Sequence, residues 1–308
     1  MSGNFLGNDN FQKVNSLKKN LPEVQNDNIR TNIIYFTTKC NLNCTYCFQA
    51  LDEVMGVDTP WEDLKKIVDE TIQREGQDYQ TFFGIFGGEP TLCWHNVEKF
   101  MDYAYSKKKN IHFEMISNGI KFCDEDFLFQ VAENEHVKNG RLSISISFDG
   151  WEGNKDRVFR DGRQSREKVI QALSNLKTVG IPFRVRFTIH RHNIDTFVDD
   201  ILKIMEYFEP KRVITSETNS LFNDEDFKKV YEGYTKLRTL WNERKIQIPV
   251  CEVFCDSCDG CSMKRPKLTH YIGDKEFVKD DGAAESFKHF DHLRNTKKSK
   301  KSKKQKEG

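Results

Sequence analysis

The sequence predicts an α/β fold built from parallel βαβ units, and three observations carry that expectation. Short apolar runs alternate with longer stretches of helical periodicity from residue 33 to about residue 215. Proline and glycine fall where those stretches start or stop. Polar clusters follow directly on the apolar runs, at the strand ends where βα loops build active sites. About six units is short of the eight that close a full barrel.

The strand expectations are Ile33–Thr37, Thr81–Phe86, Ile111–Ile116, Leu142–Ser147, Phe183–Ile189 and Val213–Thr215. Each is short, apolar and bounded by turn-forming residues. Helices are expected between them over Trp61–Arg74, Asn96–Lys107, Asp124–Glu133, Arg166–Val179 and Asp195–Phe208, and a last one over Asn223–Arg244. Pro60 stands near the start of the first helix, where its missing N–H costs nothing. Gly180, followed by Ile181-Pro182, stops the fourth. Within that helix Val169, Ile170, Leu173, Leu176 and Val179 recur at helical spacing and read as core.

The first strand runs into Thr37-Thr-Lys-Cys-Asn-Leu-Asn-Cys-Thr-Tyr-Cys-Phe48. Cys40, Cys44 and Cys47 place three thiols on one loop. An iron–sulfur cube normally takes four cysteine ligands, so three ligands with no fourth nearby imply a cube with one open iron. A zinc loop or three incidental cysteines are the bland alternatives, but C-x3-C-x2-C is too short for two separated zinc knuckles. Gly87-Gly-Glu-Pro-Thr91 ends the second strand, Ser117-Asn-Gly119 the third and Ser147-Phe-Asp-Gly150 the fourth.

In these motifs, their order and their positions at strand ends, the chain resembles the radical S-adenosylmethionine (SAM) family. The resemblance covers roughly Ile33 to Ser216. Within the family it looks most like the sulfatase-maturase and peptide-maturase (SPASM-like) branch. It implies a partial (β/α)6 barrel with a short Cys-rich C-terminal extension. It also implies a [4Fe-4S] cluster on Cys40, Cys44 and Cys47 whose open iron chelates SAM. One electron would then cleave SAM to a 5'-deoxyadenosyl radical that abstracts hydrogen from a substrate. By the same resemblance Tyr46 and Phe48 flank the adenine, and Gly87, Gly88, Glu89, Asn118 and Ser147 hold SAM. The stretch Asn154-Lys-Asp-Arg-Val-Phe-Arg160 is similar to the family's His-Asp-x-x-Arg segment, with Lys155 in place of histidine. Arg160 is the better match to the arginine near the SAM carboxylate, and Arg157 reads as an ordinary surface residue. The implied substrate is a peptide or protein, with electrons from an external flavodoxin- or ferredoxin-like donor. No residue identifies itself as a catalytic acid, base or radical quencher. Two alternatives stand beside this reading. One is radical SAM chemistry on a nucleotide or small metabolite. The other is a non-catalytic iron–sulfur carrier or metal-stabilised binding protein.

Composition limits the other classes. Lys+Arg 48 against Asp+Glu 47 over 308 residues gives no overall pull towards nucleic acid or membrane. No run of about 18 apolar residues exists to span a bilayer, and the polar N-terminus lacks a signal-peptide layout. Nine cysteines in a chain of this type read as metal ligands or free thiols, which suits a reducing cytoplasm. The expected organisation is a mobile polar leader over 1–28, a core over 29–217, a helix and Cys-rich extension over 218–294, and a disordered Lys-rich tail over 295–308. Only that tail offers a contact for RNA or an acidic partner. Cys93 and Cys123 read as small buried thiols. His190 and His192, just past the fifth strand, read as a polar loop at the mouth of the strand ends, with a substrate contact as the alternative.

A second cysteine cluster lies in Cys251-Glu-Val-Phe-Cys-Asp-Ser-Cys-Asp-Gly-Cys261. Cys251, Cys255, Cys258 and Cys261 support three readings: an auxiliary iron–sulfur cluster, a structural zinc, or free and redox thiols. The family's SPASM pattern spreads seven cysteines over a longer segment, so at most one auxiliary cluster is expected. The anaerobically reconstituted protein is therefore expected to hold more iron than one cube accounts for. Replacing all four late cysteines by alanine should bring iron down to one cube's worth. Loss of zinc instead would establish the structural-zinc reading, and loss of neither metal would leave these residues as thiols.

Overall fold

A computed structural model of the chain describes residues 29–47, 56–218, 222–251, 268–272 and 275–279. The expected leader and tail, Phe48, Cys255, Cys258 and Cys261 lie outside them. In chain order the strands are β1 (Ile29–Thr37), β2 (Gln80–Gly87), β3 (Ile111–Ser117), β4 (Leu142–Ser147), β5 (Phe183–Ile189), β6 (Val213–Glu217), β7 (Val250–Cys251), β8 (Leu268–Ile272) and β9 (Lys275–Lys279). The helices are α1 (Trp61–Glu75), α2 (Trp94–Lys107), α3 (Glu125–Glu133), α4 (Glu135–Lys138), α5 (Gly150–Gly153), α6 (Arg166–Val179), α7 (Phe197–Phe208) and α8 (Asp224–Asn242). All six expected strands and all six expected helices are present, so the α/β alternation read from the sequence holds.

The described residues fall into two compact units, one holding 29–116 with β8 and β9, the other 117–251. In the first, β1 pairs in parallel with β2 on one side and β8 on the other, and β2 pairs in parallel with β3. Strand β9 returns antiparallel along β8. The apolar core is aromatic. Phe36, Phe83, Phe100 and Phe113 are fully buried. Phe100 meets Phe36 and Phe83 edge-on at centroid separations of 5.1 and 5.2 Å. Each such side chain contributes about 1.5–3 kcal/mol by leaving water. Helix α2 supplies Phe100 from a stripe of Trp94, Val97, Met101 and Ala104 at helical spacing.

In the second unit β4, β5, β6 and β7 pair in parallel in that order. Strand β5 alternates buried and half-buried residues along its length, the signature of one helix-covered face. Helix α6 buries Val169, Ala172, Leu173 and Leu176, and Val169 and Ala172 lie beside Gly119. Ile170 and Val179, expected in the core, are only half-buried. The stripe is centred one position round the helix, and Ala172 takes their place. Cys93 is buried as expected, with its thiol donating to the Pro90 carbonyl at 3.3 Å. Cys123 is only half-buried, its thiol on the Lys168 carbonyl at 3.0 Å.

Strand β1 begins at Ile29, four residues before its apolar pattern, and so takes in Arg30, Thr31 and Asn32. Asn32 is buried with both ends of its amide bonded: Nδ2 donates to Glu75 Oε1 at 3.1 Å and Oδ1 accepts from Arg74 at 2.9 Å. Glu75 also accepts from Thr81 Oγ1 at 2.6 Å. Lys108, almost fully buried, donates to Thr81 Oγ1 at 2.9 Å and to the Gly76 carbonyl at 2.7 Å. This network ties the end of α1 to the starts of β1 and β2. Glu75→Ala leaves buried donors on Asn32 and Thr81 without their acceptor and removes the negative charge near Lys108. The expected loss is about 3 kcal/mol of stability, read as a lowered midpoint in urea unfolding.

Candidate active site

In the first unit the candidate residues grow out of the end of β1. Beyond Thr37 the chain is pinned from the side by residues 57–59. Thr37 Oγ1 donates to Asp58 Oδ1 at 2.7 Å, Thr38 N–H to the Val57 carbonyl at 2.8 Å, and Thr59 N–H to the Phe36 carbonyl at 2.8 Å. Lys39 closes the strap with an ion pair to Asp58 at 2.5 Å. The loop is anchored by Leu42, whose side chain is buried. Cys40, Cys44 and Cys47 are all half-buried, and Cys47 N–H donates to the Cys44 carbonyl at 3.0 Å in a tight turn. Tyr46, half-buried, lies in that turn.

This loop suits an iron–sulfur cluster. It offers three thiols and little else, and Leu42 N–H points at Cys40 Sγ at 3.4 Å, the kind of donor that steadies a thiolate. Burial, and then the charge of Glu89, push the Cys40 thiol up to about 12. A thiolate there requires a compensating cation, which iron supplies.

The second strand end is built onto this loop. Gly88 N–H donates to the Thr37 carbonyl and Glu89 N–H to the Lys39 carbonyl, both at 2.7 Å. Gly87 has φ of 137°, a conformation open to glycine, and a Cβ on it would run into the Thr37 carbonyl. A Cβ on Gly88 would overlap the Lys39 carbonyl and its carbon. The two glycines are what let the backbones touch. Glu89 is fully buried, and its Oε1 accepts from Thr91 N–H at 3.1 Å and Thr91 Oγ1 at 2.6 Å. Pro90 then opens a short 3-10 turn, Pro90–Cys93, that leads straight into α2. That turn explains why α2 begins at Trp94 rather than at Asn96.

In the second unit, Asn118 Oδ1 accepts from Ile120 N–H and Ser117 Oγ from Gly119 N–H, both at 3.0 Å. Asn118 is buried, and so is Ser147 at the end of β4. The Ser-Phe-Asp-Gly loop is wired to β5 through Asp149, which is fully buried. Asp149 Oδ2 accepts from Arg157 Nε at 2.8 Å and Oδ1 from Thr188 N–H at 2.9 Å. Asn193 completes the junction, donating to the carbonyls of Asp149 at 3.0 Å and Thr188 at 2.9 Å while accepting from His190 N–H at 2.8 Å.

Arg157 is thus not a surface residue: it is buried, and it neutralises Asp149. Arg160 is exposed, in a turn after the short bridge between Val158 and Gln164. His190 is buried, while His192 is exposed and reaches Asp156. The sequence reading missed Asp156 and Asn193 as members of this cluster. Asn193 carried a faint signal, as a polar residue in the polar loop after β5. Cys251 lies in β7, beside Ile214 of β6.

Comparison with known proteins decides the family. The model of the radical SAM superfamily matches residues 34–208, more than half of the chain. The chain belongs to the radical SAM superfamily. Among curated relatives it is 25% identical over 189 residues to an uncharacterized protein of Methanocaldococcus jannaschii, covering 61% of this chain and 62% of that protein. It is 22% identical to the radical SAM cyclopropyl synthase TigE of Paramaledivibacter caminithermalis, covering 58% of this chain and 39% of TigE. It is 27% identical to the Fe-coproporphyrin III synthase of Methanosarcina barkeri, covering 58% of this chain and 40% of the synthase. The chain therefore spans less than two thirds of each of these relatives. The solved structure of native anSMEcpe with bound AdoMet and Cp18Cys peptide matches with a TM-score of 0.64 at 19% identity, covering 82% of this chain and 74% of that one. Streptococcus suis SuiB bound to precursor peptide SuiA matches at 0.55 and 15% identity, covering 84% and 60%. These likenesses show the fold, which is the partial barrel expected from the sequence.

The close backbone approach at Gly88 generates a test. Gly88→Ala forces the Gly-Gly-Glu turn away from Lys39 and breaks one or both of the 2.7 Å bonds. The expected result is a fall of at least tenfold in SAM affinity by calorimetry on the reconstituted protein, with the far-ultraviolet circular dichroism unchanged.

Proposed function

We propose that this chain is a radical SAM enzyme that modifies a peptide or protein. The observation that carries the proposal is the docking of the Gly87-Gly88-Glu89 turn onto the three-cysteine loop by two 2.7 Å backbone bonds. That junction joins a thiol-only metal loop to a buried carboxylate. Cys40, Cys44 and Cys47 would hold a [4Fe-4S] cluster. Its chemistry, when bound, is one-electron cleavage of SAM to the 5'-deoxyadenosyl radical that takes hydrogen from substrate.

The chain's own residues then bind and orient. Glu89, held by Thr91, accepts the SAM ammonium, with the backbone oxygens of Gly87 and Gly88 beside it. Tyr46 and Phe48 flank the adenine. Asn118 faces the methionine part and Ser147 the ribose, on loops that the Asn118 and Asp149 hydrogen bonds hold in place. Arg160, exposed on its turn, reaches the SAM carboxylate. Residues 29–217 carry this core, 218–294 form the extension, and Cys251, Cys255, Cys258 and Cys261 hold a second cluster or zinc. Electrons come from a flavodoxin- or ferredoxin-like donor. Among the described residues no helix is long and apolar enough to cross a membrane.

A peptide substrate is supported by two fold neighbours solved with peptides bound. A small-metabolite substrate is the second reading, supported by the identity to an Fe-coproporphyrin III synthase. Turnover of SAM with candidate peptides and with porphyrins separates the two.

Cys40→Ala, Cys44→Ala and Cys47→Ala are each expected to abolish anaerobic 5'-deoxyadenosine formation while the protein stays folded. Normal product from any one of them would falsify the assignment. Glu89→Gln is expected to weaken SAM binding by about 1.5–3 kcal/mol, the range for hydrogen bonds to charged groups, with iron content unchanged. Equal affinity in the two proteins would make the motif a turn and nothing more.

A further inference from the structure

The loops that follow β4 and β5 bring together a group of side chains that the radical SAM reading does not use. Asp156, His190 and His192 each direct one ligand atom into a volume where all three atoms lie within 4.8 Å of one another. Asp156 Oδ2 is the hub. It is 3.4 Å from His190 Nδ1 and 2.5 Å from His192 Nδ1. Asp156 and His190 are buried, whereas the His192 side chain is 66% exposed, so the group has a fixed floor and an open door.

We propose that Asp156, His190 and His192 form a binding site for a divalent transition-metal ion. Two imidazole nitrogens and one carboxylate oxygen are the donor set that such ions take with positions left for water or substrate. The spacing fits. An ion with bonds of about 2.1 Å to nitrogen and oxygen sets tetrahedral donors about 3.4 Å apart, and His190 Nδ1 and Asp156 Oδ2 are 3.4 Å apart. His192, at hydrogen-bond distance from Asp156, must swing out by about 0.9 Å to give the same edge, and its exposure leaves it free to do so. The long contact of His192 N–H with His190 Nδ1, 3.4 Å, is weak enough to be displaced.

The surroundings point the same way. Asp149 Oδ2 is 4.0 Å from His190 Nε2, on the far side of the ring from Asp156. At that distance Asp149 is a charge near the imidazole and not a hydrogen-bond partner of it. Arg157 pairs with Asp149. Asn193 holds the His190 backbone in place through its 2.8 Å bond. The site would take an ion of the Zn²⁺ or Fe²⁺ class and offer its open positions to an oxygen or nitrogen donor of a substrate.

The test uses Co²⁺ alone as the probe, added anaerobically to the full chain with its clusters reconstituted. The wild type is expected to bind one equivalent with visible ligand-field bands and no thiolate charge-transfer absorption. That spectrum separates this site from the cysteines. His192→Asn sits at an exposed position and keeps a hydrogen-bonding side chain near Asp156, but it lacks the imidazole. It is expected to fold normally and to weaken this Co²⁺ equivalent at least tenfold. Asp156→Asn is expected to do the same. Identical Co²⁺ binding in wild type and His192→Asn would overturn the proposal. So would a wild type that binds Co²⁺ only with thiolate absorption, since the cluster would then be a proton-bridged His192–Asp156 pair and no more.

Discussion

Two backbone hydrogen bonds govern the candidate site residues of the first unit: Gly88 N–H to Thr37 and Glu89 N–H to Lys39. They require that neither residue 87 nor residue 88 carry a Cβ, because each would meet a carbonyl of the cysteine loop. That contact positions the Gly-Gly-Glu turn against the cysteine loop. The cysteine loop is clamped between this turn on one side and the Asp58 strap on the other. Glu89 is drawn under cover, where its charge bears on Cys40. The same closeness disfavours a bare thiolate at Cys40.

The second unit follows a different logic. There a single buried carboxylate, Asp149, organises three chain segments through Arg157, Thr188 and its own backbone carbonyl, which Asn193 holds. A buried charge of this kind is tolerated because it is paired and its oxygens are saturated. It makes the loop after β4 rigid by tying it to the loop after β5. Rigid loops on parallel strands are what a site needs when its ligands must be held within fractions of an ångström.

Much of this was legible in one dimension. The order of strands and helices follows from apolar periodicity, and the site motifs from their place after each apolar run. Helix α7 begins at Phe197, two residues past the expected Asp195, because Thr196 turns to bond Asp200 at 3.0 Å. What stayed hidden was of two kinds. Strands β7, β8 and β9 are too short, or too charged, to show a period. Long-range polar ties were invisible as well. Asn193 and Asp149 are 44 residues apart, Asn32 and Glu75 43, and nothing local marks either pair. Arg157 illustrates the same limit, since only its partner at Asp149 explains why it is buried.

The place of β8 has a consequence for how the chain comes to be folded. Leu268 lies beside Thr31 in the parallel ladder, so a neighbour of the first strand is made more than two hundred residues after it. A pairing so distant in sequence is slow to find. During synthesis from the N-terminus, the β8-facing edge of β1 waits with its N–H and C=O groups unmatched while most of the chain is still being made. An open strand edge is a template for wrong partners. Truncation before residue 268 would leave that edge bare for good, making the segment that carries β8 a guard against aggregation.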